Sequence, residues 1–137
     1  MGFERFGRCE TIGRTMNHAD AQGWIDRYLA AWKTNDRDDI TALFAEDVEY
    51  RYHPFDEPIL GGRAGVVDSW LEDTDPPEAW DAEYFVHAVD GDKVVATGST
   101  RYFATDKEQA KVYYNCFLID LDDDGRCTSF TEYYIRE

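Results

Sequence analysis

The sequence predicts an α+β domain in which helices come first and a sheet follows. Three observations predict it. Apolar residues recur at helical spacing between about Ala19 and Asp73. From Trp80 onward the chain reads as strand and turn, rich in aromatic and β-branched side chains. Asp90-Gly91 and Asp124-Gly125 punctuate that second half with the positive φ that tight hairpins need. At 137 residues the chain has room for one domain with one core.

The first stretch, Met1 to Thr15, shows neither period, carries Arg5, Arg8 and Arg14 with three glycines, and reads as a mobile tail. We set the tail at residues 1–17 and the domain at 18–137. Met16 directly precedes a plausible helix start, Asn17-His18-Ala19-Asp20, and is a candidate initiator. Helix one runs from about Ala19 to Thr34, with Trp24, Ile25, Tyr28, Leu29 and Trp32 as its stripe and Asn17 or Asp20 as its cap. After Asn35-Asp36, a short second helix over about Asp38 to Ala45 buries Ile40, Leu43 and Phe44. Val48 to Tyr52 is a short strand, and His53 to Pro58 is a loop by its two prolines. A third helix, about Ala64 to Asp73, turns Val67, Trp70 and Leu71 inward and ends before Pro76-Pro77. Strands follow over about Trp80 to Val89, Lys93 to Thr105, Lys111 to Leu121 and Arg126 to Ile135.

Period two splits the Lys111-to-Leu121 strand into Tyr113, Asn115, Phe117 and Ile119 on one face and Val112, Tyr114, Cys116 and Leu118 on the other. Both faces are largely apolar. The chain's helices can cover one; the other calls for a second subunit or a further layer. Asn115 is the polar exception on its face and Glu132 is one on the return strand, so a site is expected there.

Twenty-nine acidic against fourteen basic side chains give a net charge of −15, the wrong sign for binding nucleic acid or an anionic membrane surface. No apolar run approaches the roughly 18 residues of a membrane span. Cys9, Cys116 and Cys127 form no CxxC pair and no metal-ligand spacing with the three histidines. An odd cysteine count with Cys116 in a buried-looking strand argues for reduced thiols and a cytoplasmic address. Neither a metal nor a cofactor is expected.

With that element order in hand, the chain resembles the nuclear transport factor 2-like superfamily and, within it, the SnoaL-like branch. The resemblance is carried by Tyr28-Leu29-Ala30-Ala31-Trp32 with Asn35-Asp36, by Ile40 to Val48, by Gly61-Gly62-Arg63, and by Asp124 to Tyr134. It implies a cone-shaped, curved antiparallel sheet packed on three N-terminal helices, with a hydrophobic pocket at the open end. It also implies a homodimer through the back of the sheet. Such proteins include isomerases, epoxide hydrolases, cyclases, dehydratases and binding modules, so the residues must decide the function.

The steroid-isomerase pattern implies a carboxylate base facing oxyanion donors. Tyr28 falls at the donor tyrosine of that pattern, but Tyr52 and Phe117 stand where its acids would be. The epoxide-hydrolase pattern implies two acids and an arginine around one water. Glu132 resembles its strand acid, whereas Tyr113 and Asn115 replace the neighbouring arginine and acid. Asn115 can orient a carbonyl or water but cannot take a proton. A third constellation remains: Glu132 beside Asn115, Tyr28 reaching in from helix one, and His53 or Tyr52 at the mouth. Burial would raise the Glu132 pKa and suit it to acid work, while an imidazole titrates near neutrality. Glu132 and His53 are the candidate catalytic pair. Tyr28, Trp32, Tyr52, Trp70, Tyr113, Asn115, Phe117 and Tyr134 are the candidate substrate-binding residues. Structural readings stand beside these: Glu132 as a satisfied buried acceptor, His53 as a surface loop histidine, and Trp32 and Trp70 as core.

Three functions are compatible with this pattern. One is a cofactor-free acid–base enzyme of isomerase, dehydratase or cyclase type, acting on a small, mostly apolar metabolite. Another is a small-molecule binding protein without turnover. The third is a homodimeric interaction module.

Overall fold

A computed structural model describes residues 16–136. The expected tail lies outside them except at its end, where Met16 packs against the core and Asn17 caps the first helix. That helix, α1, spans His18–Thr34. Asn17 Oδ1 accepts from the Asp20 amide at 2.8 Å and Asp20 Oδ2 from the Asn17 amide at 3.1 Å, a reciprocal capping box. Asn35, in the left-handed region at φ 54°, ends it. Its buried residues, Ala21, Trp24, Ile25, Tyr28 and Ala31, follow helical spacing and lie against the sheet.

The second helix, α2, covers only Arg37–Thr41 and is capped by Asp36. The sequence reading carried this helix to Ala45; Phe44 and Ala45 instead open strand β1, Phe44–Arg51. A partner distant in sequence makes the difference. Leu43 O accepts from the Cys127 amide at 2.8 Å and from Trp24 Nε1 at 3.0 Å, and Phe44 pairs with Cys127. Helix α3 is Gly62–Glu72, and a short 3-10 turn, Pro77–Ala79, leads into the remaining strands. These are β2 Trp80–Asp90, β3 Lys93–Tyr102, β4 Lys111–Leu121 and β5 Cys127–Arg136.

The strands form one curved, unclosed sheet in the order β1-β5-β4-β3-β2. β2 to β5 make an antiparallel meander, as the hairpin signals predict. The sheet as a whole is mixed rather than antiparallel, because β1 runs parallel to β5. A parallel neighbour needs a long connection, and here the rest of the chain supplies it. In the last hairpin Gly125 takes φ 79°, and Asp122 Oδ1 accepts from the Asp124 and Arg126 amides, both at 2.9 Å.

Helices cover one face of the sheet. On β4 that face carries Asn115, Phe117 and Ile119, all buried, whereas Tyr114 and Leu118 on the opposite face are exposed. Lys33 ties α1 to the segment before β2: its Nζ donates to Pro77 O at 2.7 Å and Trp80 O at 2.5 Å and lies 3.8 Å from the centroid of the Trp80 ring. No helix among the described residues is long and apolar enough to cross a membrane.

Candidate functional site

Between the sheet's helical face and helices α1 and α3 lies a hollow of about 620 Å³. Period two along β4 and β5 sends alternate side chains into it. Phe117 pairs across the strands with Glu132 and Asn115 with Tyr134, so Glu132 and Asn115 are diagonal neighbours on one face. Tyr28 and Trp32 come from α1, Trp70 from α3, and Tyr52 from just beyond β1. Tyr113 and Tyr134 extend the lining along the sheet. Nine of the ten residues singled out in the sequence therefore line one space.

The tenth, His53, does not line it. Its ring centre lies 5.1 Å from that of Tyr134, and it borders a groove on the other face with Pro54, Tyr133 and Ile135. The turn beyond β1 is pinned by the Asp56 amide donating to His53 O at 3.2 Å and by Arg51 Nε donating to Asp56 O at 3.1 Å. The structure does not bring the expected Glu132 and His53 pair together; the Tyr134 strand stands between the two faces.

Aromatic rings build the inner wall. Phe130 stacks on Tyr50 at 4.5 Å, and Phe117 stacks on Tyr84 at 4.7 Å. Tyr28 contacts Trp70 edge-on at 5.4 Å. The Tyr28 and Tyr50 hydroxyls are 3.4 Å apart. Burial, and next for Tyr28 the charge of Glu132, push both phenols well above their usual range, so both stay protonated and serve as hydrogen-bond donors.

Glu132 is half-buried in this wall and forms no hydrogen bond or ion pair with the other described residues. Burial desolvates its carboxylate and pushes its pKa from the ordinary 4.5 up to about 7. Such a group is present in both protonation states at neutral pH, and it can give or take a proton with little cost.

Asn115 is held from below. Its Nδ2 donates to the Tyr84 hydroxyl at 2.6 Å, and that hydroxyl lies 2.7 Å from Thr100 Oγ1. Burial raises the Tyr84 pKa to about 12 against the lowering effect of these two bonds. Asn115 Oδ1 is buried and has no donor among the described residues. Tyr84 and Thr100 were not singled out in the sequence. Their strand parity with Val86 and Tyr102 was the available signal, but parity alone does not say which of two strands' polar groups meet.

The mouth was also missed. Glu72, Asp73 and Asp75, at and after the end of α3, line it together with Tyr102 and Arg136. Burial, followed by the neighbouring charge of Asp73, raises the Asp75 pKa, and a hydrogen bond to Tyr102 opposes the rise. Among the described residues no group of three His, Cys, Asp or Glu side chains is placed to hold a metal.

Helices packed on one face of a curved, unclosed mixed sheet are the fold of nuclear transport factor 2-like proteins. A family model described as a SnoaL-like domain matches residues 25–130, and the chain belongs to that family. Solved structures agree on the fold. A putative polyketide cyclase from Xanthomonas campestris pv. campestris is 26% identical, with 88% of this chain and 93% of that chain covered and a TM-score of 0.65. An LEH-like epoxide hydrolase of M. tuberculosis is 18% identical over 86% of this chain and 84% of that one, with a TM-score of 0.64. An NTF2-like protein of unknown function from Cytophaga hutchinsonii is 16% identical over 86% and 98%, also with a TM-score of 0.64. No curated protein matches.

Proposed function

We propose that the hollow binds a small, largely apolar molecule and that Glu132 exchanges a proton with it, in a cofactor-free reaction of isomerase, dehydratase or cyclase type. The observation that carries this reading is a carboxyl in the wall of a hollow of about 620 Å³, without a hydrogen-bond or ion-pair partner among the described residues, whose burial pushes its pKa up to about 7. Asn115 orients the reacting group through its free Oδ1, and the Tyr28 and Tyr50 hydroxyls donate to developing negative charge. His53 stays behind Tyr134 and takes no direct part. The protein named as a putative polyketide cyclase, 26% identical, supports an enzyme over a bare scaffold.

In this reading the protein works as a homodimer through the outer face of the sheet, in the reducing cytoplasm that free Cys116 and Cys127 suit. A binding protein without turnover is the second reading, since the same unpaired amide and carboxyl would hold a ligand equally well.

Binding of para-butylphenol, followed by calorimetry at pH 7 in buffers of different ionisation heat, tests the site. A phenol filling the hollow desolvates Glu132 further, so the parent takes up protons on binding and Glu132→Gln does not. No binding contradicts the pocket; equal proton uptake by the variant ends the role of this acid.

A further inference from the structure

The hollow is polar in an uneven way. Its lining includes four carboxyl groups, Glu72, Asp73, Asp75 and Glu132, against the single guanidinium of Arg136. Among the described residues no ion pair within 4.0 Å engages any of these five, whereas exposed acids elsewhere, such as Asp68 and Asp81, have arginine partners. Three of the carboxyls sit together at the mouth, where α3 ends. The carbonyl end of a helix carries partial negative charge and favours cations, yet the last turn of α3 has no basic residue and adds Glu72 and the capping Asp73. The nearby Lys111 is engaged with Glu108 at 3.7 Å and stands over the Tyr102 ring at 6.0 Å. Among the described residues Lys111 acts on Asp75 only from beyond ion-pair distance, and Arg136 is the one cationic side chain in the lining, so negative charge prevails at the mouth.

A second observation points to a ligand. Asn115, only 9% exposed, lines the same hollow, and its buried Oδ1 has no donor among the described residues. A buried acceptor left open costs stability unless something fills it. The lining thus asks for a hydrogen-bond donor inside and positive charge at the opening. Tyr102, Tyr113 and Tyr134 near that opening add ring faces that attract cations.

We propose that the ligand of this hollow is an amine: its donor-bearing, apolar body lies inside against Asn115, and its cationic nitrogen sits at the mouth among Glu72, Asp73 and Asp75. The proposal rests on the pocket reading above and names its ligand class. It sets the amine against Arg136, which would prefer a carboxylate in the same place.

Three probes sharing one body decide the matter: para-hydroxyphenyl-butylamine, para-butylphenol and para-hydroxyphenyl-pentanoate. Their affinities are read from the fluorescence of Trp32 and Trp70, which line the hollow. The amine is expected to bind about tenfold tighter than the neutral phenol, and the acid weaker than both. Raising salt from about 0.05 M to about 0.5 M should erode the amine's advantage several-fold. In an Asp73→Asn, Asp75→Asn variant the ratio of amine to phenol affinity falls to about one. Equal affinity of amine and phenol, or tightest binding of the acid, overturns the amine proposal and leaves the pocket reading standing. Failure of all three to bind overturns both. The salt series on the parent protein decides the question even if the double variant does not fold.

Discussion

Asn115 and Tyr84 meet across two strands: Nδ2 of the first donates to the hydroxyl of the second at 2.6 Å. The intervening β3 residue in that row is Gly98, paired with both. A Cβ built on Gly98 would lie 2.7 Å from Tyr84 Cδ1 and closer still to the Glu83 carbonyl. The glycine therefore makes room for the Tyr84 ring, and the ring positions the amide that faces the hollow.

Gly98→Ala is expected to destabilise the protein by about 3 kcal/mol, because neither the backbone oxygen nor the packed ring can yield cheaply. Urea unfolding checks this. A midpoint unchanged from the parent would mean that β2 and β3 tolerate a wider separation there.

Tyr84→Phe removes a hydroxyl that serves two buried groups, Thr100 and Asn115. It should cost about 1–3 kcal/mol. Asn115→Leu deletes an oxygen that is already unsatisfied and should change stability by less than about 1 kcal/mol. In the Asn115→Leu background, Tyr84→Phe is expected to cost less than it does alone, since one of its two orphaned partners is gone. Additive effects in chemical denaturation would contradict the coupling.

The outer face of the sheet exposes Phe85, Tyr114, Leu118, Tyr133 and Ile135, the last at 72%. Exposed apolar side chains on one sheet face suit association with a second copy. Sedimentation velocity is expected to find a dimer, and Leu118→Glu should shift it to monomer while leaving secondary structure intact. A monomeric parent at tens of micromolar would contradict the dimer.

Much of the fold was legible because it is local. Helical spacing in α1, the Asn17 cap and the Asp-Gly hairpins each depend on residues a few positions apart, and the structure has them all. The alternation of β4 divided its side chains as the structure does, but it set Glu132 beside Asn115, whereas the register pairs Asn115 with Tyr134 and leaves Glu132 on the diagonal. What escaped was non-local. Phe44 has helical spacing with Ile40, but its pairing with Cys127 draws it into β1. The acidic mouth escaped because nothing in the sequence says that Asp75 and Tyr102 meet. His53 depended on the course of a turn that two prolines constrain without directing.

Glu132 also sets a stability dependence on pH whose sign is opposite to that of a salt-bridged acid. Its folded pKa, about 7, lies above the ordinary 4.5, so between those values the folded state holds more protons than the unfolded one. Stability then falls as pH rises through that window, and the full penalty is present above about 7. Taken at face value the shift corresponds to about 3 kcal/mol, reduced by whatever solvent reaches the half-buried group. Glu132→Gln should be more stable than the parent above pH 7, with the advantage shrinking towards pH 4.5. An advantage independent of pH would contradict this origin.

The chemistry proposed for the hollow depends on Glu132 holding a proton near neutrality. Carbon-13 NMR of the glutamate side-chain carboxyls, titrated from pH 3 to 9, tests it most directly, with Glu132→Gln providing the assignment. One resonance with a midpoint near 7 is expected, and it disappears in the variant. A Glu132 resonance titrating near the ordinary 4.5 would contradict it.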